Sequence, residues 1–178
     1  MELEVHKRIA TAVDLPALQA LIHQAYRGKP SSRTWTHEGH LVTGQRVDQE
    51  MMIEHFQTPR AVFTILESQG EALACAYVKE TTPGQVYIGL ISVEPSLHAM
   101  GLGKQILDWT EAVAVKEFDA YEAELSVITE RTELWAWYQR RGYVDCNKVI
   151  PFPEGNARFG IVQKSGMKLG FLKKRLVK

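Results

Sequence analysis

The chain lacks the features that mark several large classes of protein. It has two cysteines, Cys75 and Cys146, far apart and both in apolar, strand-like surroundings, which predicts reduced thiols rather than a disulfide framework. Neither has cysteine or histidine neighbours at the tight spacing of a metal site, so we expect no metal.

No apolar run is long enough for a transmembrane helix. The acidic, alternating start, Met1-Glu2-Leu3-Glu4, does not resemble a signal peptide, and we expect a cytoplasmic protein.

An excess of charge of either sign is also absent. Lys plus Arg and Asp plus Glu number 21 each in the 178 residues, so the formal net charge is zero. Nucleic-acid-binding proteins usually carry a basic excess or a basic stripe. The one basic run, Lys173-Lys174-Arg175, suits the charged end of an edge strand. We therefore expect neither nucleic acid nor a membrane as a partner.

The composition that remains is that of an ordinary globular protein, with 45% hydrophobic and 24% charged residues. The length and the absence of a repeat or linker predict a single domain, residues 1–178. Apolar periodicity and turn residues predict an α/β fold, in which a mixed sheet of about seven strands is flanked by helices. The predicted strands are 2–9, 61–66, 72–78, 86–93, 124–128, 143–149 and 167–176. The predicted helices run from an N-cap at Asp14 to near Gly28, over 48–56, onward from about Gly101, and over 130–141.

The most informative segment joins strand 86–93 to the next helix. The strand is almost continuously apolar, which predicts a place in the middle of the sheet. It ends at Val93-Glu94-Pro95, and the loop His98-Ala99-Met100-Gly101-Leu102-Gly103-Lys104 follows. Two glycines at a helix start allow backbone N–H groups to turn inward beside the positive end of the helix dipole, which is an anion site used most often for phosphate.

Two common nucleotide motifs fit this loop poorly. The Walker pattern requires Ser or Thr after the lysine, but Gln105 follows Lys104. The dinucleotide-binding pattern requires a third glycine, but that position is Ile106. A nucleotide-binding protein is therefore the weaker interpretation of the glycine loop.

Two motifs, in the expected order, resemble the GNAT superfamily of N-acetyltransferases. The family's acetyl-coenzyme A loop has the pattern Gln/Arg-x-x-Gly-x-Gly/Ala after a strand that ends in Val-x-Pro; here His98 replaces the Gln or Arg. The second motif is Tyr138, followed four residues later by Gly142-Tyr143. The Asn that often precedes this tyrosine by seven residues is Arg131 here, which would either contact coenzyme A differently or cap the helix region. The resemblance covers nearly the whole chain and implies a GNAT-like fold.

The resemblance also implies an activity. A GNAT protein transfers an acetyl group from acetyl-coenzyme A, its co-substrate, to a primary amine of a small molecule or peptide by direct attack on the thioester. The pyrophosphate lies on the loop amides, and the pantetheine arm pairs with the preceding strand. A sensor or scaffold that binds acyl-coenzyme A without turnover is the alternative, and a homodimer is compatible with the family. The implied coenzyme contacts are Ile91, Ser92, Val93, His98, Ala99, Met100, Gly101, Leu102, Gly103, Lys104 and Arg131.

The resemblance assigns a general acid more clearly than a base. Tyr138 occupies the position of the family tyrosine that protonates the leaving thiolate. Strand 86–93 contains no glutamate, so the base used by one branch of the family is missing there. Glu38 and His40, in the polar stretch after the first helix, are the remaining candidates.

The same polar stretch is expected to shape the acceptor pocket. Trp35 would form its floor, Glu38 would contact the amine, and Arg46 would contact a carboxylate. A solvated loop around a packed tryptophan is the alternative. The identity of the acceptor, the preferred acyl chain and the role of loop 151–166 stay open.

Overall fold

The computed structural model describes residues 3–28 and 36–177. Helices and strands alternate along this part of the chain much as the periodicity predicts. The strands are β1 (His6–Ile9), β2 (Val42–Thr43), β3 (Ala61–Ser68), β4 (Glu71–Thr82), β5 (Gln85–Val93), β6 (Glu122–Ile128), β7 (Val144–Pro151), β8 (Ile161–Val162) and β9 (Lys168–Arg175). The helices are α1 (Leu15–Arg27), α2 (Gln49–Gln57), α3 (Leu102–Phe118) and α4 (Thr132–Gln139). None of these four helices is long and apolar enough to cross a membrane.

Seven strands form one mixed sheet, as predicted. Its order is β1-β3-β4-β5-β6-β9-β7, and β5 and β6 are parallel while the other neighbours are antiparallel. The apolar strand β5 is the central one, as its composition predicts. A second sheet, in which β2 pairs with β8, was not predicted, because two-residue strands are too short to show periodicity.

An aspartate stands at the start of two of the helices, but only one of the two caps its helix. The carboxylate of Asp48 accepts a hydrogen bond from the Met51 N–H at 2.7 Å, which fixes the start of α2. Asp14 stands at the N-cap of α1 as predicted, but its carboxylate instead accepts hydrogen bonds from Arg8 and from the Thr11 N–H. It therefore ties strand β1 to the helix start.

The first strand and the last helix are shorter than predicted. Strand β1 begins at His6, because only four of its residues pair with β3; the predicted strand positions before residue 3 lie outside the described residues. Helix α4 ends at Gln139, since the Gly142 N–H returns to the Gln139 carbonyl and Gly142 takes a φ of 92°. Glycine adopts this conformation at little cost, which explains why the chain turns away from the helix at this point.

The core occupies both faces of the sheet. On one face, Ile106 and Leu107 of α3 pack with Val78 and Ile88. On the other, Leu18 and Ile22 of α1 and Met52 of α2 pack with strand residues such as Phe63 and Ile65. Apolar side chains on both sides of the central strands hold the sheet between two helical layers.

The feature that positions the site is the divergence of β5 from β6. The two strands pair only as far as Tyr87, opposite Glu124. Beyond this point, two residues of β5 lie opposite one residue of β4, which is a β-bulge, and Leu90 takes a φ of 53°. The second half of β5 therefore keeps its β4 partner while its other edge separates from β6.

Candidate active site

A cavity of about 240 Å³ lies where β5 and β6 diverge. Tyr87 and Ser126 come from the two strands, and their hydroxyl oxygens lie 2.8 Å apart in a hydrogen bond across the cleft. Tyr26 and Tyr138 line the cavity from α1 and α4. Loop 151–166 contributes Phe152, Pro153 and Phe159 to the lining, so part of this loop forms a wall of the cavity.

The glycine loop lies at the end of β5 and opens directly onto helix α3. Gly101 is the N-cap of this 17-residue helix and takes a φ of 73°. The first N–H groups of a helix have no carbonyl partner within it, and the helix dipole adds positive potential there. A Cβ at Gly101 would meet no other atom within 4 Å, so the space beside Gly101 itself is open. The loop therefore fits a phosphate.

The polar side chains of the loop turn toward their own segment. His98 Nδ1 lies 2.9 Å from the Pro95 carbonyl oxygen. Lys104 Nζ donates to the Asp108 carboxylate at 2.6 Å, one helical turn away, and its side chain is 63% exposed. The His98 and Lys104 side chains are thus held within their own segment, which leaves the backbone N–H groups of the loop as the candidate anion-binding surface.

The open edge of β5 supplies the second feature that a coenzyme needs. Ile91, Ser92 and Val93 have buried side chains, and none of them pairs with β6. Ser92 Oγ donates to the Leu90 carbonyl at 3.0 Å, which bridges the bulge. An extended amide-containing arm can therefore add to this edge as a further strand. Together, the helix start and the strand edge fit the pyrophosphate and pantetheine parts of coenzyme A.

Tyr138 is buried at the cavity between aromatic neighbours. Its ring makes edge-on contacts with Trp137 and Tyr143, at centroid distances of 5.1 and 5.9 Å. Burial raises the pKa of the Tyr138 phenol well above 10, and the nearby Tyr26 raises it further. The hydroxyl therefore keeps its proton at neutral pH, which is the protonation state that a general acid requires.

Glu38 lies among three arginines. Its Oε1 accepts hydrogen bonds from Arg27 Nε and Nη2, at 3.1 and 2.7 Å. The side chains of Glu38 and Arg27 are 6% and 2% exposed. Arg46 Nε is 3.8 Å from Oε1, and Arg131 Nη1 is 3.6 Å from Oε2. Both carboxylate oxygens of the predicted base therefore face guanidinium groups.

The four remaining predicted residues of the acceptor side and the second motif have different positions. Arg46 lines the cavity and lies over the ring of Tyr26, 5.2 Å from its centroid. Arg131, predicted to contact coenzyme A, is placed beside Glu38. His40 is exposed and is absent from the described cavity lining. Trp35 lies outside the described residues.

Sequence reasoning missed four residues of the site: Tyr26, Arg27, Tyr87 and Ser126. Arg27 had one visible signal, since it is a charged residue at the end of an apolar helix. Tyr87 and Ser126 had none, because their contact depends on where two strands distant in sequence separate. Within residues 3–28 and 36–177, no group of three or more His, Cys, Asp or Glu side chains is placed to hold a metal ion.

Residues 30–143 match the family model described as the Acetyltransferase (GNAT) family. The chain belongs to this family. GNAT acetyltransferases use acetyl-coenzyme A as the acetyl donor. The search of curated proteins gave no match.

Solved structures share the GNAT fold over nearly the full chain. The ribosomal-protein-S18-alanine N-acetyltransferase of Escherichia coli has a TM-score of 0.72 at 15% identity, covering 98% of this chain and 96% of its own. A spermidine/spermine N-acetyltransferase from Vibrio cholerae gives 0.66 at 11%, covering 97% and 93%. A GNAT acetyltransferase from Elizabethkingia anophelis with acetyl-coenzyme A bound gives 0.62 at 14%, covering 97% and 98%.

Gly101→Ala tests the loop. A side chain in the left-handed conformation costs about 1–2 kcal/mol. The free loop can relax away from this strain, and coenzyme binding must restore it. We expect the Kd for coenzyme A, measured by calorimetry, to rise roughly 5- to 30-fold. Gly70→Ala is the matched control, because Gly70 has a φ of 81° and open space in the β3–β4 turn. Equal affinity in the Gly101 variant and the parent would contradict this role.

Proposed function

We propose that the protein is an N-acetyltransferase that transfers the acetyl group of acetyl-coenzyme A to a primary amine of a small molecule or peptide. The observation that carries the proposal is the position of one cavity. It touches the open edge of β5 on one side and the protonated phenol of Tyr138 on another. A thioester held along β5 would therefore lie near both a proton donor and space for an acceptor.

Backbone groups would hold the co-substrate. The amides of residues 101–104 would bind the pyrophosphate, and the edge at residues 91–93 would pair with the pantetheine arm. Acetyl-coenzyme A supplies an activated acetyl thioester. An N–H on β5 that points to the thioester oxygen would stabilise the negative charge that develops there.

Tyr138 donates its proton to the departing sulfur. In the transfer, the amine nitrogen forms a bond to the acyl carbon, the carbon–sulfur bond breaks, and the sulfur takes the Tyr138 proton. The acceptor must enter as a neutral amine, although an alkylamine has a reference pKa of about 10.4. The nitrogen then loses one proton, which returns to the site or to water, so the products are an amide and a thiol.

The Tyr87–Ser126 pair is our candidate for the route of the amine proton. The two hydroxyls are in contact and line the cavity, so one can accept a proton as the other passes one on. Glu38 is less suited to this role because its oxygens already face Arg27, Arg46 and Arg131. We propose that Glu38 instead anchors these arginines along the acceptor side of the cavity.

A turnover assay tests the proposed function against the sensor alternative. The full chain is incubated with acetyl-coenzyme A and a panel of amines, and both free thiol and the mass of the acetylated amine are followed. We expect thiol release that depends on both amine and protein, with a matching acetylated product. Coenzyme binding without amine-dependent release would instead support a sensor or scaffold.

A further inference from the structure

The acceptor side of the cavity carries an excess of positive charge. Its charged lining residues are Arg27, Glu38, Arg46 and Arg131, so three positive charges and one negative charge leave two positive. The described lining contains no other Asp or Glu. Segment 29–35, between Arg27 and Glu38 in sequence, contains two basic residues and no acidic one.

Within the described residues, Glu38 accepts its closest hydrogen bonds from one of the three arginines. Arg27 donates two hydrogen bonds to it and also donates Nη1 to the carbonyls of Thr43 and Gln45, at 3.3 and 2.9 Å. A Cβ on Gly160 would approach Arg27 Nη1 too closely, so the guanidinium fills its space. Arg27 thus makes the closest pair with Glu38, through Oε1. Arg46 and Arg131 approach the same carboxylate only at 3.8 and 3.6 Å.

Arg46 is the arginine best placed to meet a ligand. Its side chain is 29% exposed, against 2% for Arg27 and 7% for Arg131. The guanidinium is placed over Tyr26, and within the described part of the chain it donates no hydrogen bond. A planar guanidinium with open donors matches the two oxygens of a carboxylate.

We propose that the acceptor is a small amine that also bears a carboxylate, as an amino acid does, and that Arg46 binds this carboxylate. The inference rests on the proposed function and narrows its substrate class. Unbalanced positive charge in a partly closed cavity is costly unless an anion joins it. The same charge opposes a polyamine. A volume of about 240 Å³ suits a small acceptor, and the coenzyme phosphates have their own amide site at Gly101.

Matched acceptor pairs test the proposal. A panel of free amino acids is used as acceptors in the thiol-release assay, and each is compared with its own methyl ester. The assay is run with the parent, Arg46→Gln and Arg46→Lys. We expect the parent to prefer the free acid and Arg46→Gln to lower its kcat/KM about 10- to 100-fold, with the ester little affected. Arg46→Lys retains the positive charge but not the planar pair of N–H donors, so its kcat/KM for the free acid is expected to be intermediate. Arg175→Gln removes an exposed arginine on β9 and serves as the control.

A binding measurement separates failure of this inference from failure of the proposed function. N-acetylglycine and its methyl ester are titrated calorimetrically into the parent and Arg46→Gln, and so is coenzyme A. Selective binding of the acid that is lost in Arg46→Gln supports the carboxylate site even if no amine is turned over. Equal binding of acid and ester, or turnover that prefers the ester or a polyamine, overturns it. A loss confined to coenzyme A affinity also overturns it, because the anion would then belong to the coenzyme.

Discussion

Tyr138→Phe is expected to lower kcat about 10²- to 10⁴-fold, the usual contribution of a positioned proton donor. The affinity for acetyl-coenzyme A should change little, because the proposed coenzyme contacts are backbone groups of β5 and the glycine loop. Phenylalanine retains the ring that packs on Trp137 and Tyr143, so the fold should survive. The measurements are steady-state turnover and calorimetric binding on the same preparations.

The pH profile makes this prediction specific. The pKa of Tyr138 is raised, so its protonated, active form persists to higher pH than an ordinary phenol would allow. The parent rate should therefore rise as the amine loses its proton and show no decline from Tyr138 up to about pH 10. Tyr121→Phe, at a tyrosine that is 48% exposed, is the control. A Tyr138→Phe variant with the full parent rate at every pH would remove the acid assignment.

Glu38→Gln is expected to reduce the free energy of unfolding by about 3–5 kcal/mol, the usual effect of removing one partner of a buried ion pair. The change leaves Arg27, 2% exposed, without its carboxylate, and Arg46 and Arg131 without the shared charge. Urea denaturation of the parent and the variant measures the difference. Asp108→Asn removes an exposed partner of Lys104 and should cost only a few tenths of a kcal/mol.

The same variant separates the two roles considered for Glu38. If Glu38 is an anchor, the Glu38→Gln variant should lose both stability and its preference for the carboxylated acceptor. If Glu38 is the general base, the variant should lose kcat toward the carboxylated acceptor and its methyl ester alike, and the pH dependence of kcat should change. The second result would contradict the anchor role.

The parts of the site that the sequence predicts are those formed by contiguous residues. The strand, glycine loop and helix start, residues 91–104, are adjacent in the chain, and glycine at a helix start has a direct structural meaning. Tyr138 is predicted because Gly142 and Tyr143 follow it at the spacing of the family motif. The start of α2, predicted near Asp48, is local in the same way.

The parts that could not be predicted depend on long-range geometry. Nothing in the sequence indicates that Leu90 takes a φ of 53°, since leucine rarely adopts it, yet this bulge lies where β5 and β6 separate. The Tyr87–Ser126 contact and the meeting of Arg27 with Glu38 follow from how the strands and α1 pack. Arg131 was assigned to coenzyme A from its motif position alone, whereas its place beside Glu38 became visible only in three dimensions.

The central claim is that coenzyme A lies along the open edge of β5 with its phosphates at the start of α3. Amide hydrogen exchange, measured on the full chain with and without saturating coenzyme A, tests this at the residues concerned. We predict slower exchange in two stretches, 91–93 and 101–104, with the β3–β4 turn at Gly70 unchanged. Unaltered exchange in both stretches, while calorimetry shows the coenzyme bound, would contradict the account.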